Sequence, residues 1–125
     1  MKVSDLCLMH QEGELVFGRE RTGDAAQSIH SNIYKNRDDI NAIAHAHPMH
    51  GKTFSTLDKM LKPLTQDSCA FFERTATFTD YDGVANGPDE GINISKSLAD
   101  KDFLILRNHG ILTTGSMVDL SLIHI

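Results

Sequence analysis

Apolar and polar positions alternate loosely from Ser4 to Phe17, and Gly13 separates Leu6-Cys7-Leu8 from Leu15-Val16-Phe17, which predicts a β-hairpin. The polar stretch Arg19 to Gly23 predicts a loop. After it the period changes: Ala26, Ile29, Ile33 and Tyr34 recur at helical spacing and form one apolar stripe. Asp24 suits the N-cap of this helix, Gln27 three residues on completes a capping-box pattern, and the polar cluster Asn36 to Asp38 ends it. Ile40 to His47 then predicts a strand, with Ile43, His45 and His47 on one face and Ala42, Ala44 and Ala46 on the other. Pro48 ends the pairing and restricts His47 to extended backbone.

The second half continues the alternation. Met49 to Leu57 predicts a short helix, Leu61 to Leu64 a connector, Thr75 to Thr79 a strand and Asp80 to Gly83 a turn. Pro88 to Ala99 predicts a helix opened by proline and acidic residues, which suit its N-terminal dipole. Phe103 to Arg107 reads as a buried strand, Asn108-His109-Gly110 as a tight turn, and Ile111 to Thr114 as a strand closed by Gly115. Helices alternating with strands predict a layered α/β sandwich.

Length and composition narrow the function classes. The chain has 125 residues, enough for one domain, with 40% hydrophobic and 23% charged residues. Its net charge is −5 and its cations are scattered, which argues against nucleic acid or an anionic membrane as partner. Cys7 and Cys69 are too few for a disulfide framework or a cysteine-type zinc site. No apolar run approaches the roughly 20 residues of a membrane span. The N-terminus lacks the apolar core of a secretory signal, so a cytoplasmic location is expected.

Seven histidines are the unusual feature, and their placement matters more than their number. A His-x-His pair at a strand end projects two imidazoles the same way, and a third histidine would complete a three-His metal site with an open position. His109, in a turn after a buried strand, is the natural third. Taken alone, such a pair is more often satisfied or exposed than metal-bound, and a turn histidine more often bonds its neighbours. Both readings stay open on spacing.

The residues themselves carry a resemblance. The segment IHSNIYKNRDDINAIAHAHPMHGKTFSTL followed by LRNHGILTTG resembles the class II aldolase/adducin family, over about Ser4 to Asp119. HAHP and RNHG in this order, with His47 and His109 separated by 62 positions, are more specific together than apart. LTQDSCAFF, the DYDG turn and PDEG resemble a branch of aldolase-like proteins within it. The resemblance implies a three-layer α/β/α sandwich with a mixed, largely antiparallel sheet, assembled as a homotetramer. It implies a divalent metal, zinc or alternatively manganese, held by His45, His47 and His109. Acting as a Lewis acid, the metal would stabilise an enediolate during carbon–carbon cleavage of a small carbonyl or hydroxy-acid substrate. The alternative it implies is a non-catalytic, adducin-like binding module of the cytoskeletal, actin-associated kind.

Two departures qualify these implications. The family's aldolases carry an acid/base Glu on the helix before the His-x-His strand, and gapless alignment puts Ala26 there. A methyl group transfers no protons, so decarboxylation, which needs no C–H abstraction, becomes the favoured lyase chemistry. His30, one turn beyond Ala26, His50 and Tyr81 are weak candidates for the missing base. Each has a plainer reading, His30 and Tyr81 as packing residues and His50 as a neighbouring or surface residue. Glu90 reads as a helix N-terminal charge. Asp67 and Ser68, near Cys69, are pocket or loop residues, and His10 and His124 suggest no chemistry. The second departure is length: residues 1–119 read as a domain incomplete at both ends, and 120–125 as an atypical tail.

Overall fold

The computed structural model describes residues 2–18, 23–80 and 88–123. Its elements run β1 (Leu8–Met9), β2 (Leu15–Phe17), α1 (Asp24–Asn36), β3 (Ala42–Ala46), α2 (Met49–Ser55), α3 (Gln66–Cys69), β4 (Thr75–Phe78), α4 (Pro88–Leu98), β5 (Phe103–Leu106), β6 (Gly110–Gly115) and α5 (Val118–Ile123), with a 3-10 turn at Val3–Asp5 before β1. The expected hairpin is present as β1 and β2, paired antiparallel, although Val3–Asp5 coils instead of extending. The main sheet has the order β3-β6-β5-β4. Its β3–β6 and β5–β6 pairs are antiparallel and β4–β5 is parallel, the mixed, largely antiparallel sheet expected.

Register explains the layers. Ala76, Leu104 and Leu112 lie in one row across the sheet, Phe78 and Leu106 in another. Against this face pack Ile29 and Ile33 of α1 and Ile94 and Leu98 of α4, giving one continuous core. The two helices approach closely because position 91 is glycine: a Cβ there would sit 2.5 Å from the Ser28 carbonyl oxygen. On the opposite face α2 brings Gly51 against Ile111, while α5 buries Ser121 against Thr113 through two reciprocal hydrogen bonds. Helices therefore cover both faces, and the three-layer α/β/α arrangement follows.

Three local expectations are corrected. Asp24 is the first residue of α1, and Gly23 is the N-cap, without a side-chain cap. Gln27 does not close a capping box; its amide donates to the carbonyls of His10 and Gln11 and ties the helix to the hairpin. The strand expected from Ile40 to His47 is shorter, ending at Ala46 before Pro48. A real capping box forms elsewhere, where Thr65 Oγ1 accepts from Ser68 N–H and Ser68 Oγ from Thr65 N–H, opening α3. The step from residue 119 to 120 falls inside α5 and not at an element boundary. No helix of the described residues is long and apolar enough to cross a membrane. Cys7 and Cys69 form no disulfide.

Candidate metal centre

His45 and His47 leave β3 on the face that carries α1, as strand alternation requires. His45 pairs across with Leu112 of β6 and so shares its face. His109 reaches the same point from the β5–β6 connection. This turn is tight because Asn108 adopts φ 56°, a left-handed conformation asparagine tolerates, and His109 N–H donates to the Leu106 carbonyl at 3.0 Å. The turn is also anchored sideways: Arg107 N–H bonds Phe78 O at 2.9 Å, and Asn108 N–H bonds Ser55 O at 3.3 Å.

The three rings converge. His45 Nε2 lies 3.1 Å from His47 Nε2 and 3.3 Å from His109 Nε2. One ligand nitrogen from each residue falls within 4.8 Å of the others. A tetrahedral ion at about 2.0–2.1 Å from imidazole nitrogens holds them roughly 3.3 Å apart, which the two spacings from His45 match, while the His47–His109 pair lies within 4.8 Å. Orientation fits too. His45 Nδ1 sits 3.0 Å from the Ile111 carbonyl, which can only accept, so Nδ1 carries the proton and Nε2 turns its lone pair to the cluster.

Electrostatics act in the same direction. Burial, and then the neighbouring His109, push the His45 imidazole down to about 4, against the smaller opposing effect of the Ile111 carbonyl. Burial and then His47 lower His109. Both rings are thus neutral near pH 7, the form that binds metal. His45 and His109 are half-buried and His47 is exposed, leaving one side of the cluster open.

The other candidates are distributed differently. Ala26 and His30 line a hollow of about 200 Å³ with Cys7, Met9 and Gln27, and His30 is near enough for its charge to be felt at His45. Burial lowers His30, as expected of a helix-packing histidine. His50 lines an apolar cavity of about 280 Å³ between α2 and the opposite sheet face. Ser68 caps α3 and, with Thr65 and Leu64, borders a separate hollow; Asp67 is exposed. Glu90 stands in the first turn of α4. His10 Nδ1 accepts from Glu12 N–H at 3.3 Å. Tyr81, the Asp80–Gly83 turn beyond its first residue, and His124 lie outside the described residues. The Ile111 carbonyl went unread from sequence, because a backbone acceptor leaves no residue-type signal.

The sequence model of the family "Class II Aldolase and Adducin N-terminal domain" matches residues 1–125. The chain belongs to this family. Class II aldolases are generally divalent-metal dependent, and the three histidines could bind such an ion. Among its relatives is 4-hydroxy-3-prenylphenylpyruvate oxygenase/4-hydroxy-3-prenylbenzoate synthase of Streptomyces roseochromogenus subsp. oscitans, 41% identical over 85% of this chain and 38% of that protein. Decarboxylase NovR of Streptomyces niveus is 40% identical over 85% of this chain and 39% of its own length. Among solved structures, L-fuculose 1-phosphate aldolase from Glaciozyma antarctica PI12 superposes with a TM-score of 0.86 at 40% identity, covering 98% of this chain and 47% of that one. The chain spans less than half the length of each of these three proteins.

Proposed function

We propose that this chain supplies the metal centre of a class II aldolase-type lyase that cleaves a carbon–carbon bond in a small oxygenated acid, with His45, His47 and His109 as ligands. The observation that carries the reading is the convergence of three imidazole nitrogens around His45, whose tautomer the Ile111 carbonyl sets. Zinc suits three borderline nitrogen donors, and manganese is the alternative. A divalent ion held there would supply Lewis-acid stabilisation of the enediolate-like charge left when the bond breaks.

Ala26 turns the reading from aldol cleavage toward decarboxylation. In decarboxylation the bond between carbon and the carboxylate breaks, carbon dioxide leaves, and the electron pair delocalises onto a neighbouring carbonyl oxygen. A solvent proton can restore the carbon later, so no carboxylate is needed at position 26. The relative named Decarboxylase NovR supports the same direction. The open side of the cluster at His47 suits entry of a small molecule from solvent. Homotetrameric assembly and a cytoplasmic setting belong to this proposal. A non-catalytic, adducin-like module is the second reading, and the methyl group at position 26 is what favours it.

The test is metal content of the purified chain beside a His45→Ala/His47→Ala variant, followed by a screen of hydroxy- and keto-acids for carbon dioxide release. About one ion per chain, lost in the variant, with turnover of at least one acid is the expected result. No ion after refolding with excess zinc would overturn the metal centre, and metal without turnover of any acid would favour the binding module.

A further inference from the structure

We infer that Gly110 is a positioning residue for the metal centre: its missing side chain is the slot in which the His47 imidazole is seated. This rests on the proposed ligand set and adds a residue that binds no metal itself.

The argument begins with the register. Ala46 pairs with Ile111, so one step further along, beyond the end of β3, His47 comes level with Gly110. At that step strand and turn are unusually close. A Cβ at position 110 would stand 2.5 Å from the Ala46 carbonyl oxygen and 2.8 Å from His47 Cδ2. Real side chains essentially never approach this closely. Gly110 does not have one of the positive φ angles found at Gly13 and Gly18. Glycine is therefore required here for space, not for backbone conformation.

What yields when the space is filled follows from how each ligand is held. His45 is fixed by its bond to the Ile111 carbonyl and by its place inside β3. His109 is fixed by its own N–H bond to the Leu106 carbonyl and by the bonds of Arg107 and Asn108 just before it. His47 is exposed, lies just past the strand, and is followed by Pro48, whose ring prevents adjustment along the chain. A methyl group at 110 would therefore push the His47 ring and the Ala46–His47 peptide outward. Two of the three ligands would stay in place while the third moved. Displacing supports of metal ligands typically costs about 10–100-fold in metal affinity.

The experiment measures zinc affinity by competition with a chromophoric chelator for the 125-residue chain, Gly110→Ala, His47→Ala and the double variant. Stability of each metal-free chain is followed by urea denaturation. Gly110→Ala is expected to weaken zinc binding about tenfold or more, and to weaken it no further once His47 is absent. A purely structural role would give equal losses in both backgrounds and would overturn the inference. So would Gly110→Ala binding zinc like the parent. Absence of zinc binding by the parent would overturn the metal centre itself, a different failure from these two. If Gly110→Ala does not fold, the parent decides by nuclear magnetic resonance. Zinc should shift the Gly110 Hα resonances through the His109 and His47 rings beside them, and His47→Ala should lose the larger part of that shift; an undiminished shift there would overturn the proposal. Hα resonances indifferent to zinc would overturn the proposal.

Discussion

Arg37 joins the end of α1 to the loop entering β5, and removing it should cost a measurable part of the fold. Its Nη1 donates to the carbonyls of Ala99 at 2.7 Å and Lys101 at 3.0 Å. Its Nε and Nη2 donate to the two oxygens of Asp39, each at 2.7 Å. The Arg37 side chain is 16% exposed and that of Asp39 67%, so the two halves of this arrangement differ in worth. Hydrogen bonds from a charged donor contribute roughly 1.5–3 kcal/mol when buried. Ala99 is exposed and Lys101 half-buried, so water can partly replace the donor, and about 1 kcal/mol each is the better figure. Ala99 also holds φ 48°, an unfavourable backbone angle that this hydrogen bond helps to fix. The solvent-screened pair with Asp39 adds little. Arg37→Met, which keeps the apolar stem, should therefore destabilise by about 2–3 kcal/mol, and Asp39→Asn by clearly less. Urea denaturation followed by far-UV circular dichroism reads both, with a midpoint shift on the order of 1 M for Arg37→Met. Equal costs for the two variants, or a loss below about 0.5 kcal/mol for Arg37→Met, would refute the assignment of the energy to the carbonyl bonds.

Arg37 also sets a pH dependence. It holds the Asp39 carboxyl at about 2, below its ordinary 3.8, so the folded state binds this proton less readily than the unfolded chain. The pair's contribution should be complete above about pH 4 and disappear as pH falls toward 2; urea midpoints across this window should fall less steeply for Asp39→Asn than for the parent. Gly91→Ala should separate α1 from α4, because its Cβ would meet the Ser28 carbonyl at 2.5 Å. A loss of about 1–3 kcal/mol is expected, and a thermal midpoint equal to the parent's would show that the helices can give way without cost.

Periodicity made most of the fold legible. Ile29 and Ile33 sit on the buried stripe of α1, and the uninterrupted apolar run at Phe103 to Leu106 matches a strand buried on both faces. Short elements governed by side-chain chemistry were harder to read. Asp24 and Gln27 have the residue types of a capping box, but Gln27 finds better partners in the hairpin carbonyls, a contact spanning more than a dozen positions. Thr65 and Ser68 do cap a helix, yet Ser at the third position is a weaker signal than Glu or Gln. The order β3-β6-β5-β4 depends on contacts between distant segments, and no local pattern encodes it. Likewise His45 and His47 declare a common face through alternation, whereas their meeting with His109 depends on the register of β3 against β6.

Under the proposed function, this division of labour lets one scaffold carry different lyase chemistries. The three histidines come from β3 and the β5–β6 turn, and their spacing is set by strand pairing and by main-chain bonds to Leu106 and Ile111. Position 26 belongs to α1, an exposed position one turn before Ile29 on the stripe that the core grips through Ile29 and Ile33. Exchanging a carboxylate for a methyl there changes which protons can move without disturbing the sheet register that gathers the imidazoles. Under the proposed function, the electrophilic part of the site and its acid/base part are mechanically separable. A chain that keeps the first and alters the second retains a means of stabilising charge on oxygen while losing a means of abstracting a proton from carbon. Substrates whose bond cleavage itself delivers the electron pair, as loss of carbon dioxide does, are the ones such a site remains suited to.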